Sequence, residues 1–354
     1  MDYTFRSREG ETAMMRTEIV LPAIGEPETL QVRRRELPAP GAGAALIRVE
    51  ATGVSFAEQL MRRGRYPGGQ PRFPFVPGYD LVGTVTALGP GAAGVVVGQR
   101  VAALTKIGGW ADQVVLPAAA LLPVPGDVDP AEAETLVVNG LTAWQMLHRK
   151  ANVRRGQTIL VHGASGGVGT TIVQLARHAG IRVIGTAAPR HHAALRALGA
   201  EPLDYHDPDL ADGVRRLAPG GVDAAFDHLG LPSAARSFGL LAPGGTLVCY
   251  GMVAALQGDT PVLSAFAALL SRIVRWNLLP NRRRATFYDL WGGHLVRRAA
   301  FYRRAQEDLA QVLNLLAAGV LTPQIAARLP LARAGDALRL AESRTVFGKV
   351  VLIP

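Results

Sequence analysis

Residues 158–179, TILVHGASGGVGTTIVQLARHA, decide the fold. Ile159, Leu160 and Val161 form an apolar run short enough for a buried parallel strand, and the run enters the glycine-rich turn GASGGVG at 163–169. From Thr170 the apolar residues Ile172, Val173, Leu175 and Ala176 recur at helical spacing. The stretch predicts strand, tight turn, helix. Glycine at 163, 166 and 169 lets the chain turn sharply, lets backbone amides approach a pyrophosphate, and lets the helix pack close on the strand. The first helical turn then offers unpaired N–H groups and the positive end of a dipole to the phosphates. A lone GxxGxxG is a weak signal, but in this strand-to-helix setting it predicts a dinucleotide cradle made of Gly163, Ser165, Gly166, Gly167, Val168 and Gly169.

The following strand indicates which dinucleotide. Ile181-Arg182-Val183-Ile184 ends at Gly185-Thr186, where an NAD enzyme carries an acid for the ribose hydroxyls. No acid occurs between Thr170 and Ala200, while Arg190, His191 and His192 follow the strand end and could meet a 2′-phosphate. This favours NADPH over NADH and makes Thr186, Arg190 and His192 candidate contacts.

At 354 residues the chain exceeds a single core, so two domains are expected. A composition of 49% hydrophobic and 19% charged residues is that of an ordinary globular protein. The net charge of +10 would suit a polyanion, yet the basic residues are spread along the chain, with clusters only at 33–35 and 282–284. Just three of the 38 are lysine (Lys106, Lys150 and Lys349), which reads as codon bias rather than nucleic-acid binding. The single cysteine, Cys249, lies in an apolar strand and can form no internal disulfide. No stretch of about 18 apolar residues suits a membrane span. A soluble, cytoplasmic protein is expected.

Residues 1–15 are polar and aperiodic enough to be expected as a disordered extension. Short β-rich runs follow at 18–20, 46–49, 82–87, 101–104 and 113–116, broken by Gly and Pro, and suggest a small, partly closed β structure. Asp129-Pro130 reads as an N-cap with proline at the first helical position. Strands then alternate with helical patterns, which means a parallel sheet covered on both faces. Gly230 and Gly251 follow strand tips at the carboxyl edge, where such sheets bind ligands. Asp227 and His228 sit at one tip, where loop capping is favoured over a catalytic dyad. ATFYDL at 285–290 reads as a late edge strand, and Leu309, Val312, Leu313 and Leu316 share one helix face.

The order GVSFAEQLMRRGRYP, PGYDLVGTV, NGLTAWQML, VHGASGGVG, ESRTVFGKVVLIP resembles the medium-chain dehydrogenase/reductase superfamily, and within it the zinc-independent quinone oxidoreductase (zeta-crystallin-like) branch. Residues 252–300 are similar to the subgroup that includes the vesicle amine transport protein. The resemblance implies an α/β protein: a GroES-like catalytic domain from 16–137 and 299–354, and a Rossmann domain, 138–298, that binds NADPH. It also implies that Asn139 and Thr142 lie against the nicotinamide, Tyr205 near the adenosine, Arg344 at the 2′-phosphate, and Lys349 in the same cleft. The family's Asn-Phe-x-Asp pattern with a following Tyr appears here as Ser55, Phe56, Glu58 and Leu60. One phenolic donor is therefore missing, and Ser55, Glu58, Tyr66 and Tyr79 remain as polar catalytic candidates. With one cysteine, and Gly78-Tyr79-Asp80 at the family's Gly-His-Glu position, a tetrahedral zinc site cannot be assembled, so no metal is expected.

The expected activity is NADPH-dependent reduction, without metal, of a small hydrophobic quinone or α,β-unsaturated carbonyl. Hydride addition to such an acceptor leaves an anion that needs only hydrogen-bond donors and a proton. The alternative is a cofactor-binding interaction protein with little turnover. A homodimer paired through the 285–290 edge is expected, with Phe266, Leu269, Leu270, Ile273, Val274 and Trp276 lining its interface or roofing the substrate cleft.

Overall fold

The computed structural model describes residues 14–253 and 261–354. The Gly- and Pro-punctuated first part forms β1 (Met14–Val20), β2 (Gln31–Leu37), β3 (Ala44–Val54), β4 (Asp80–Leu88), β5 (Arg100–Leu104), β6 (Gln113–Pro117) and β7 (Leu122–Pro123), with helix α1 (Phe56–Arg62) between β3 and β4. Helix α2 (Pro130–Trp144) starts as its sequence predicts, with the Asp129 carboxylate accepting from the amides of Ala131 and Glu132 at 3.1 and 3.0 Å. Strands and helices then alternate: β8 (Thr158–His162), α3 (Gly167–His178), β9 (Arg182–Ala187), α4 (His192–Leu198), β10 (Ala200–Asp204), α5 (Leu210–Leu217), β11 (Val222–Asp227), α6 (Leu231–Gly239), β12 (Leu241–Cys249), α7 (Val262–Asn277) and β13 (Arg284–Phe287). The chain closes with α8 (Arg298–Ala317), β14 (Ile325–Pro330), α9 (Ala334–Glu342) and β15 (Lys349–Ile353).

Six of these strands form a parallel sheet in the order β10-β9-β8-β11-β12-β13, the doubly wound Rossmann order with its switch point between β8 and β11. Side chains of a strand alternate between faces, and β8 shows it. Ile159 and Val161 join the core under α2, α3 and α8, while Leu160 joins the core under α6 and α7. The second sheet runs β14-β15-β3-β4-β5-β7, with β6 paired to β3. Because β15 lies antiparallel to β3, with Val350 opposite Val54, this sheet draws on both parts of the chain that flank the Rossmann strands.

Three expectations change. Met14 and Met15 are the first residues of β1 and pair with Leu37 and Glu36, so the expected extension would stop before them; its remainder, 1–13, lies outside the described residues. The arginine cluster 33–35 belongs to β2, a strand the sequence pattern hides because six of its seven residues are exposed. Helix α7 packs Leu269, Ile273 and Trp276 on its own Rossmann sheet, with Trp276 stacked on Phe238 at 4.7 Å, and these residues do not roof a cleft. Its other face leaves Leu263, Leu270 and Val274 exposed. Strand β13 is the sheet edge, as 285–290 predicts.

Candidate active site

The turn after β8 is built for close approach. Gly163 has φ of 63°, and the Gly166 amide donates to the Gly163 carbonyl at 3.0 Å. A Cβ on Gly169 would lie 2.3 Å from that carbonyl oxygen, so Gly169 is what lets α3 pack on the turn. A Cβ on Gly166 would meet only the same oxygen, at 3.4 Å, so this glycine opens outward. The N-cap of α3 supplies no side-chain acceptor to its first amides. Val168 packs inward on the core, and the Ser165 carbonyl accepts from the Gly348 amide at 2.9 Å, tying the turn to the approach of β15.

Asn139, on α2, stands against this turn: a Cβ on Gly167 would lie 2.2 Å from its Nδ2. That nitrogen is buried and has no hydrogen-bond partner, an arrangement that calls for a bound acceptor. Beyond β9, the Arg190 Nη2 donates to the Arg344 carbonyl at 2.7 Å, and Arg344 adopts φ of 58°. The Arg190 guanidinium thus holds the Arg344 backbone beyond the end of β9, and Tyr205, half exposed, follows β10 nearby in the sheet order. His192 is bound by Nε2 to the Ala187 carbonyl at 3.1 Å. Gly230 opens α6 with φ of 127°, and a Cβ on Gly251 would crowd His228, whose ring also fills the space over Gly163. An orphaned donor, an open glycine and an arginine tied to the backbone of a second fit a phosphorylated dinucleotide.

Several candidates turn out to hold the fold. Thr186 is buried and shares its hydroxyl with His162 Nδ1 at 3.1 Å; His162 Nε2 then meets Ser237, and Ser237 and Ser233 donate to Asp227 at 2.9 and 2.7 Å. The Thr186 side chain therefore faces this internal polar chain and not a ribose. The same Asp227 caps the next turn by accepting from the Leu229 amide, as expected. Burial pushes His162 below the usual histidine value and His228 down to about 4.

Lys349 does not point into the cleft. Its ammonium is buried and lies 2.8 Å from Asp80 Oδ2 and 2.7 Å from Glu134 Oε1, because a buried cation needs carboxylates about it. Asp80 Oδ2 also accepts from the Val138 amide at 3.1 Å, which ties β4 to α2 one residue before Asn139. Burial, with the Asp80 charge, holds the Glu134 carboxyl well above the usual range against the pull of Lys349.

Ser55 and Glu58 form the capping box of α1. The Ser55 hydroxyl accepts from the Ala57 amide at 3.1 Å and bonds to Glu58, whose carboxylate accepts from the Ser55 amide at 2.8 Å. Burial raises the Glu58 carboxyl, which is 2% exposed.

Tyr66 and Tyr79 come together, their hydroxyl oxygens 2.8 Å apart. A residue the sequence reading missed joins them: the Trp291 indole Nε1 donates to the Tyr79 oxygen at 2.5 Å. Trp291 stacks on Phe301 and stands edge-on to Tyr79, and the Lys106 ammonium lies 5.4 Å from the Tyr66 ring centre. Burial holds both phenols above 10. Thr142 bonds Tyr288, which in turn donates to Gln145, so α2 anchors the base of the Trp291 loop. Only the aromatic content of residues 287–291 hinted at this partner.

The residues present do not fit a catalytic zinc. Cys249 is buried in β12, Asp80 is engaged by Lys349, and among the described residues no three His, Cys, Asp or Glu side chains gather.

Residues 41–126 match the alcohol dehydrogenase GroES-like domain, and residues 198–352 match the zinc-binding dehydrogenase family. The synaptic vesicle membrane protein VAT-1 homolog of Rattus norvegicus is 34% identical over 330 residues, 92% of this chain and 80% of that protein. The mycobacterial protein Rv1454c, solved in complex with NADPH, is 31% identical with a TM-score of 0.81 over 96% of this chain and the whole of that one. A quinone oxidoreductase of Pseudomonas syringae pv. Tomato DC3000 is 29% identical with a TM-score of 0.83, again over 96% and 100% of the two chains.

Proposed function

The chain belongs to the medium-chain dehydrogenase/reductase superfamily, in its VAT-1/quinone oxidoreductase type, and from that premise we propose that it is an NADPH-dependent reductase of quinones or α,β-unsaturated carbonyls. The observation that carries the reading is the unpaired Asn139 amide beside an outward-opening Gly166, with Arg190 and Arg344 together at an acid-free strand end. The NADPH-bound mycobacterial relative supports the choice of cofactor. Residues 138–298 would bind it, and residues 16–137 with 299–354 would present the acceptor.

NADPH supplies a hydride when bound. The protein's own part is binding and charge. The glycine turn and the α3 amides take the pyrophosphate, the arginines take the 2′-phosphate, and Asn139 donates to whichever acceptor lies over the turn. The phenols of Tyr66 and Tyr79, kept protonated by burial and bonded to each other, offer one free O–H to an acceptor oxygen as it becomes anionic. No step is assigned to a metal, since the donor set does not fit one.

Steady-state NADPH oxidation over a panel of quinones and enones tests the proposal: turnover with at least one class is expected, and tight NADPH binding without turnover on any would refute it. That second result would favour an interaction protein, the reading encouraged by Ser55 and Glu58 being committed to a helix cap. Among the described residues no helix is long and apolar enough to cross a membrane. A cytoplasmic homodimer acting on small hydrophobic molecules is the assembly proposed.

A further inference from the structure

We propose that Trp291 is a positioning residue for this reaction: by donating to Tyr79 it orients the hydroxyl pair so that Tyr66 is the one that donates to the acceptor's oxygen. The inference rests on the reductase reading and deepens it. An indole N–H is a donor only, whereas a phenol has one proton and lone pairs that accept. Trp291 Nε1 therefore fixes one bond, with the Tyr79 oxygen as acceptor. A single hydrogen lies between the two phenols, and it can come from either.

Two arrangements follow. If Tyr66 donated, the Tyr79 oxygen would accept twice and its own proton would be left in a site that is 7% exposed, where Tyr66 and Trp291 are its hydrogen-bond partners among the described residues. An unpaired buried O–H is disfavoured, so this arrangement loses. If Tyr79 donates, every proton of the buried pair is used, and the leftover O–H belongs to Tyr66, the less buried of the two. The chain runs Trp291 to Tyr79 to Tyr66, and each donor strengthens the next. The Lys106 ammonium over the Tyr66 ring makes that last hydroxyl a better donor still.

The indole is held for this task. It stacks on Phe301 with centroids 5.7 Å apart and planes at 15°, meets the Tyr79 ring at 72°, and His294 stands edge-on to it at 5.1 Å. A phenylalanine at 291 would keep an aromatic ring for the stacking and remove the N–H. That separates positioning from packing.

The test is a double-mutant cycle on the full chain, reading kcat and KM with the best acceptor. Trp291→Phe should lower kcat about tenfold with KM within about twofold, and Tyr66→Phe should lower it more, toward the roughly 100-fold of a lost oxyanion donor. In a Tyr79→Phe background, Trp291→Phe should add nothing, because there is no hydroxyl left to orient. A parent-like kcat in Trp291→Phe, or effects of the two variants that multiply, would overturn the proposal. An NMR arm does not depend on turnover: the indole N–H signal that Trp291→Phe removes should be shifted downfield and slow to exchange, and Tyr79→Phe should abolish both traits. Should the parent reduce no acceptor, the reductase reading fails on its own and this arm still tests the Trp291–Tyr79 bond on which the orientation rests. A Trp291 signal indifferent to Tyr79→Phe would sink it.

Discussion

Lys349→Met tests whether the lysine serves the fold or the cofactor. The native ammonium, 3% exposed, faces two carboxylates that are fully buried, so the substitution strips both of their cation at once. Removing one partner of a buried pair costs about 3–5 kcal/mol. Asp80 keeps the Val138 amide, whereas Glu134 is left with only the like-charged Asp80 beside it, and its Oε2 is already unpaired. The variant can escape by binding one more proton on a carboxyl, at about 1.4 kcal/mol for each pH unit above an ordinary carboxyl value near 4. That route costs about 2 kcal/mol at pH 5.5 and about 5 at pH 8, so it limits the damage only in acid. The expected loss is thus about 2 kcal/mol at pH 5.5 and about 3–5 at pH 8.

The signs follow from the native shifts. Glu134 is raised, so its contribution is fully present below 4.5 and is lost as pH climbs through its folded value; Lys349 is raised as well, so its contribution is present below 10.5 and is lost above it. The parent should weaken toward alkaline pH, and the variant should do so more steeply between pH 5.5 and 8. Urea midpoints at the two pH values measure this. An equal loss at both would refute the proton-uptake argument. A folded, equally stable Lys349→Met that binds NADPH more than tenfold worse would return Lys349 to the cleft.

Gly166→Ala should fold normally and lose NADPH affinity by tenfold or more, since its Cβ meets only one oxygen, at 3.4 Å, while Gly169→Val should fail to fold because its Cβ would lie 2.3 Å from the Gly163 carbonyl; circular dichroism and NADPH titration report the two outcomes. NADPH should bind at least about tenfold tighter than NADH, roughly 1.4 kcal/mol, and equal affinities would refute the acid-free strand argument. Arg190→Ala and Arg344→Ala should each narrow that gap but combine less than additively, because Arg190 holds the Arg344 backbone. Light scattering should find a dimer that Phe287→Pro dissociates at the β13 edge; a 37.5 kDa monomer would rule out the edge pairing.

What was legible in the sequence was local. The strand–turn–helix at 158–179, the Asp129-Pro130 start of α2 and the β-rich runs depend on neighbours within a few residues, and the structure follows each closely. The partners of Lys349 are 269 and 215 residues away in sequence, and no periodicity marks such a pairing. Trp291 reaches Tyr79 across 212 residues. Ser55 and Glu58 show the opposite case. Their S-x-x-E spacing is a capping-box signature, and that local role, not the catalytic position the resemblance implies, is the one both side chains fill. Strand β2 escaped because an exposed ribbon carries no apolar alternation.

Tyr79 and Asp80 show how one stretch of backbone can serve both the site and the scaffold. Successive side chains point to opposite sides of an extended chain, so at the mouth of β4 the phenol meets Tyr66 and Trp291 while the next carboxylate is held by Lys349 and the Val138 amide. The two arrangements depend on each other through charge. An unpaired carboxylate behind Tyr79 would make its phenol harder to ionise but would also attract any cation or proton that entered, and the ammonium settles that demand internally. With the Asp80 charge matched by Lys349, the polar group that remains to face an acceptor is a neutral O–H donor, and Lys106 above Tyr66 is the charge that sharpens it. A reaction that ends in an oxyanion is better served by fixed neutral donors backed by a cation than by a carboxylate, which would repel it.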